Sequence, residues 1–259
     1  MEKQPVASRK TIDKALRVLT AFSHTQPELS VGELAERLGM HKSIVSRIVS
    51  SLCAWRMLEK DPGTKKLCVG VGAFQLGSLY APSRSLSRIA KPYMNELAGM
   101  TGLSNHLSLS EDEEILVVAT VESPTALRVI MRMGERRPLH STAAGKLFLA
   151  FQPDLLEMIL LRGIAAFTKK TISSSAALQE EVAQVRRKGI AWNHGENSVG
   201  AGAVAAPIFD HQGKMVAALS TVFPLAVVDA RELKKIGRST TAIAGSISEE
   251  LGFSLNLLK

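Results

Sequence analysis

LSVGELAERLGMHKSIVSRIVSSLCAWRMLEKD, residues 29–61, holds two short helical patterns separated by a single glycine. Ser30-Val31-Gly32-Glu33 is an S-x-x-E capping box, in which serine and glutamate satisfy the free amides of a helix start. Leu34, Ala35 and Leu38 continue that helix, and Gly39 suits the left-handed position that ends one. A second helix begins near His41 or Lys42. Its Val45, Ile48, Val49 and Leu52 form one apolar stripe. The opposite face carries Lys42, Ser43, Ser46, Arg47 and Ser50, with Ile44 beside them. Two helices joined by a tight glycine turn are the pattern of a helix-turn-helix. Short hydroxyls, two cations and a branched apolar group suit a major groove, where arginine grips guanine and an apolar group meets the thymine methyl. An ordinary solvated helix face has the same composition, and the order of elements is what favours recognition.

Outward from this stretch the pattern continues. Ile12, Ala15, Leu16, Val18, Leu19 and Phe22 predict an amphipathic helix over 11–24, broken by Pro27. Downstream, Met57–Lys60 and Lys65–Val69 flank Asp61-Pro62-Gly63-Thr64 and predict a hairpin. A hairpin directly after a recognition helix is a wing, and Lys60, Lys65 and Lys66 would lie beside phosphates. Residues 72–80 then predict a short linker helix ended by Ala81-Pro82-Ser83.

The chain has 259 residues, 46% hydrophobic and 22% charged, which suits a globular protein of two unequal domains. No apolar run reaches membrane-spanning length, and the basic start MEKQPVASRK is no secretory signal, so the expected location is cytoplasmic. Cys53 and Cys68 have no metal-type spacing and support neither a disulfide framework nor a zinc site. The net charge of +8 is densest in the first 83 residues, where a polyanionic partner is expected.

The remainder predicts an α+β domain. A helix is expected over 84–100, with Pro92 implying a kink or an early start. Strands are expected at 106–109, 114–121, 127–133, 203–209 and 215–222, and helices at 141–150, 155–161, 177–188 and 229–251. Ser141-Thr142-Ala143-Ala144-Gly145-Lys146 puts hydroxyl and small residues at a helix start, where unblocked amides favour an anion such as a carboxylate. Capping by Ser141 or Thr142 alone explains the same pattern. A P-loop does not, since His140 and Leu147 stand where glycine and Ser/Thr are required. The run GAGAVAA, residues 200–206, either packs a sheet tightly or leaves room for a ligand, even a bulky aromatic acid.

The helix-turn-helix stretch with GAFQLGSLY (72–80), GERRPLHSTAAGKLFLA (134–150) and GENSVGAGAVAAPIFDHQGKMVAALS (195–220) resembles the IclR family of bacterial transcriptional regulators over nearly the whole chain. The resemblance implies a winged helix-turn-helix over 1–71, a linker helix over 72–83, and a GAF-like effector-binding and oligomerisation domain over 84–259, its antiparallel sheet flanked by helices. It implies effector contacts at Val129, Ala143, Ala144, Asn193, Ala203, Ser220 and Val222, beside Ser141 and Thr142 of the helix start. Asn193 departs from the acidic residue often found there. An amide both donates and accepts, so the ligand is expected to differ in charge or hydroxylation.

The expected function is a ligand-responsive regulator, with repression the expected mode. Its partners would be double-stranded operator DNA, a small carboxylate and further copies of itself, as a homodimer or a dimer of dimers. No catalytic residue, metal ligand or cofactor is expected: the six histidines are scattered, and no nucleophile, base and orienting group come together in the pattern. His140 reads as a structural hydrogen-bonder and Glu111–Glu114 as a solvated turn. Of Arg128, Arg132, Arg136 and Arg137, at most one is expected to reach a ligand. An enzyme with a DNA-binding appendage and a constitutive DNA-binding protein are the competing readings.

Overall fold

The computed structural model describes residues 6–23, 25–77, 81–123, 129 and 131–253, in two compact units, Met1–Ala81 and Pro82–Lys259. In the first unit α1 (Val6–Leu19), α2 (Val31–Leu38) and α3 (Lys42–Ala54) pack on a core of Val18, Leu29, Leu34, Val45, Ile48 and Val49. Leu58 and Leu67, one from each strand of the hairpin β1 (Leu58–Lys60) and β2 (Leu67–Val69), complete it.

The caps form as the residues dictate. Ser30 Oγ accepts from Glu33 N at 3.2 Å, and a Glu33 carboxylate oxygen accepts from Ser30 N at 2.7 Å. Those bonds hold the Glu33 carboxyl below its usual range. Gly39 closes α2 with φ 61°, a conformation that costs glycine little. A single bridge from Leu29 to Leu67 adds a third strand position beside the hairpin, which gives the winged form. In the hairpin turn, Asp61 Oδ1 accepts from Gly63 N, Thr64 N and the Thr64 hydroxyl. Helix α4 (Val71–Gly77) follows at once.

The second unit is a six-stranded antiparallel sheet, order β5-β4-β3-β8-β7-β6, with helices on both faces. Its strands are β3 (Ser104–Glu111), β4 (Glu114–Val121), β5 (Arg136–Pro138), β6 (Ala191–His194), β7 (Ala201–Phe209) and β8 (Met215–Pro224). One face carries α6 (Ala143–Phe151), α7 (Pro153–Arg162) and α8 (Ser175–Lys188), packed through Leu147, Phe148, Ile159, Leu178 and Val185. On the other lie α5 (Ala81–Thr101) and α9 (Ala230–Glu250), packed through Ala90, Met94, Leu97, Ile243 and Ile247. The period of two decides which residue meets which layer. Leu107 and Leu219 face α5 and α9, whereas their neighbours His106, Ser108 and Ser220 face the α6 side.

Several expected boundaries move. Ala81-Pro82-Ser83 does not end a helix but is itself helical, within α5; residues 78–80 before it lie outside the described ones. Pro92 lies inside that helix. The strand expected over 127–133 is not found at 129 or 131–133, and its other residues, Arg128 among them, lie outside the described ones. The edge strand is β5 instead, and β6 was not singled out as a strand in the sequence.

Candidate effector cavity and DNA-facing helix

The start of α6 is set by a tight contact with Leu139, the residue that follows β5. A Cβ on Gly145 would lie 2.1 Å from the Leu139 carbonyl oxygen, so only glycine lets the helix seat there. Thr142 is the N-cap: its Oγ1 accepts from Gly145 N at 3.1 Å and donates to the Pro138 carbonyl at 3.0 Å. Lys146 N bonds the Thr142 carbonyl. The amides of Ala143 and Ala144 have no acceptor among the described residues. They are the free donors of a first helical turn.

These two alanines border a cavity of about 110 Å³. Its walls bring together Val129, Ala143, Ala144, Asn193, Ala203, Ser220 and Val222, the effector contacts that the family resemblance implies, and Thr142 of the helix start. Two rows across the sheet form its floor: Asn193, Ala203 and Val222 in one, Ser220 and His106 in the next. Ser141, also expected at the ligand, is fully buried and does not line the cavity. It acts as a brace: its carbonyl accepts from Asn193 Nδ2 at 2.6 Å and its hydroxyl from Asn197 Nδ2 at 2.9 Å.

Asn193 is largely occupied by the protein. Its Oδ1 accepts from Gly195 N and Glu196 N, both at 2.9 Å, and so shapes the turn after β6. This explains the amide where an acid is often found: aspartate would set a carboxylate oxygen against the Ser141 carbonyl. Beneath the same turn, Lys146 is 1% exposed and its Nζ donates to both Glu196 oxygens at 2.9 and 3.0 Å and to Glu181 at 2.9 Å.

The residues of this region that the sequence did not mark as site residues include His106, Ser108, Asn197 and Lys146. His106 is 1% exposed, and its Nδ1 lies 3.2 Å from Thr120 Oγ1. Burial pushes its imidazole down to about 4, so the ring is neutral at physiological pH. Its Nε2 and the Ser108 hydroxyl have no partner among the described residues. Of the arginines, Arg137 lines the cavity and pairs with Glu135, while Arg136 pairs with Glu111 and Glu114. The acidic run is therefore more than a solvated turn, since Glu113 also pairs with Arg162. His140 lies 2.8 Å from the Ala165 carbonyl and stacks on Phe167, a structural role.

In the first unit, Lys42, Ser43, Ser46, Arg47, Ser50 and Lys65 are exposed, Lys66 is half-buried, and Ile44 is half-buried against the core. Among the described residues, no three or more His, Cys, Asp or Glu side chains gather as metal ligands would. No helix among them is long and apolar enough to cross a membrane.

Residues 11–62 match the IclR helix-turn-helix domain, and residues 79–249 match the bacterial transcriptional regulator IclR C-terminal domain. The chain is 28% identical to the HTH-type transcriptional regulator XynR of Escherichia coli K12, over 94% of this chain and 98% of that one. It is 25% identical to the HTH-type transcriptional repressor AllR of the same strain, over 96% and 93%. An IclR homologue from Microbacterium hydrocarbonoxydans, solved with 4-hydroxybenzoate, shares the fold with a TM-score of 0.84 at 22% identity, over 93% of this chain and 98% of that one. With both of its units matched in order, the chain belongs to the IclR family of bacterial transcriptional regulators.

Proposed function

We propose that this regulator switches operator binding in response to a small carboxylate held in the α6 cavity. The observation that carries the reading is the pair of amides, Ala143 N and Ala144 N, unpaired among the described residues at a buried helix start on the cavity wall. A helix N-terminus favours negative charge, and there the dipole and the donors act together. The cavity is smaller than the roughly 300–1,000 Å³ of drug-sized sites, which favours a compact metabolite. The related fold solved with 4-hydroxybenzoate lends support to an aromatic acid as one candidate.

DNA contact is proposed for Lys42, Ser43, Ser46, Arg47 and Ser50 of α3, with Ile44 at the margin and Lys65 and Lys66 of the wing on phosphate. Binding as a homodimer or a dimer of dimers is supported by Ile12, Leu16, Trp55, Phe74 and Leu76, large apolar side chains left exposed on the DNA-binding unit. Repression is the proposed mode, supported by the relative named as a repressor, and the cytoplasm, where operator DNA lies, is the proposed location.

Thermal unfolding of the full chain against aliphatic and aromatic carboxylates tests the effector reading. A bound acid at 100 times its Kd stabilises by about 2.7 kcal/mol, and the same acid must change operator affinity. If no carboxylate raises the midpoint, the reading fails.

A further inference from the structure

Two residues bordering the cavity carry buried polar atoms that contacts among the described residues do not satisfy. His106 and Ser108 lie two apart on β3, each 1% exposed, and both border the cavity. Neither His106 Nε2 nor Ser108 Oγ has a partner among the described residues. Buried polar groups nearly always find one, so an unpartnered pair lining a cavity points to a ligand.

The surrounding bonds determine what kind of partner is missing. Thr120 Oγ1 has a single proton, which it donates to the Met131 carbonyl at 3.3 Å. The 3.2 Å bond between Thr120 Oγ1 and His106 Nδ1 therefore uses the ring's proton. A neutral imidazole has one N–H, which leaves Nε2 as a bare acceptor. A carboxylate has no proton to give it. A hydroxyl has one, and its oxygen can in turn accept from Ser108 Oγ.

Resting on the reading of the cavity as a carboxylate site, we propose that the effector is a hydroxylated carboxylate. Its anionic end meets the Ala143 and Ala144 amides, and its hydroxyl donates to His106 Nε2 and accepts from Ser108 Oγ. His106 is then the residue that separates hydroxy acids from plain acids of the same size. The cost of the wrong acid is physical: a buried acceptor is left bare, or meets a methyl ether that offers no proton.

Calorimetric titration of the full-length protein with matched acids tests this. The sets are 4-hydroxybenzoate, benzoate and 4-methoxybenzoate; lactate, propionate and 2-methoxypropionate; 3-hydroxybutyrate, butyrate and 3-methoxybutyrate. At least one hydroxy acid should bind at least about tenfold more tightly than both its deoxy and its O-methyl counterparts. His106→Leu should abolish that preference by weakening the hydroxy acid while leaving the deoxy acid nearly unchanged. Ser108→Ala should reduce it, and decides the matter if His106→Leu fails to fold. If acids bind but no set shows a hydroxyl preference, the proposal is overturned and the carboxylate site stands. If a preference survives in the folded variants, its assignment to these residues is overturned. If no acid binds, both readings fall together.

Discussion

Lys146→Met is expected to be among the most damaging single changes in the effector unit, because it strands a buried charge. The ammonium is 1% exposed, and three of its contacts lie at 2.9–3.0 Å: two to Glu196 and one to Glu181. Glu181 is 29% exposed at its side chain and can turn to water, so its share is small. Glu196 is 8% exposed at its side chain and has no such escape. Removing one partner of a buried pair costs about 3–5 kcal/mol, since the other charge stays uncompensated. For a unit of this size that lowers the midpoint by roughly 6–20 °C, read by differential scanning calorimetry. The mechanism makes a second, sharper demand. In the double variant Lys146→Met/Glu196→Gln no charge is stranded, so at least half of the lost stability should return. A single-variant loss below about 1 kcal/mol, or a double variant no better than Lys146→Met, would refute the reasoning.

Arg47→Ala should weaken operator binding by about 1–3 kcal/mol in fluorescence anisotropy, whereas Lys65→Ala should lower the slope of log K against log salt by about 1 with little change in sequence preference. His106 makes stability depend on acid. Its folded value of about 4 lies below the 6.5 of the unfolded chain, so the stability present above 6.5 falls as pH drops towards 4. The loss totals about 3 kcal/mol and levels off below the folded value, and it appears as the difference between wild-type and His106→Gln urea midpoints at pH 7 and pH 4.5; identical shifts in both proteins would reject it. Gly145→Ala should cost about 1–3 kcal/mol through its clash with the Leu139 carbonyl, and should weaken any carboxylate more than an equally destabilising change remote from α6.

The DNA-binding unit was legible because its signals are local. A capping box, a left-handed glycine and an apolar stripe each act within a few residues, and Ser30, Gly39 and Val45 do in the structure what their spacing implies. The cavity was legible only where a motif carried it. His106-Leu107-Ser108-Leu109 alternates polar and apolar, the pattern of a half-buried strand with one wet face. In a sheet with helices on both sides neither face is wet, and the polar stripe becomes the floor of a cavity. That depends on strands remote in sequence, β8 beside β3 and α6 above them. Lys146 was hidden for a similar reason: no local pattern says that Glu181 and Glu196 will fold over it.

What the ligand must do can be weighed against what the cavity offers. Taking a two-state regulator from 1:99 to 99:1 requires about 5.5 kcal/mol of differential affinity. Two amides on a carboxylate contribute about 1.5–3 kcal/mol each, and two neutral hydrogen bonds about 1 kcal/mol each, so the proposed contacts supply roughly 5–8 kcal/mol. That suffices only if nearly all of them are lost in the other state. The two arrangements must therefore differ at the cavity itself, where Asn193 and Asn197 join the turn after β6 to Ser141 at the head of α6. A rearrangement that kept those joints closed would leave the ligand bound equally in both states, and tight binding would then change nothing at the operator.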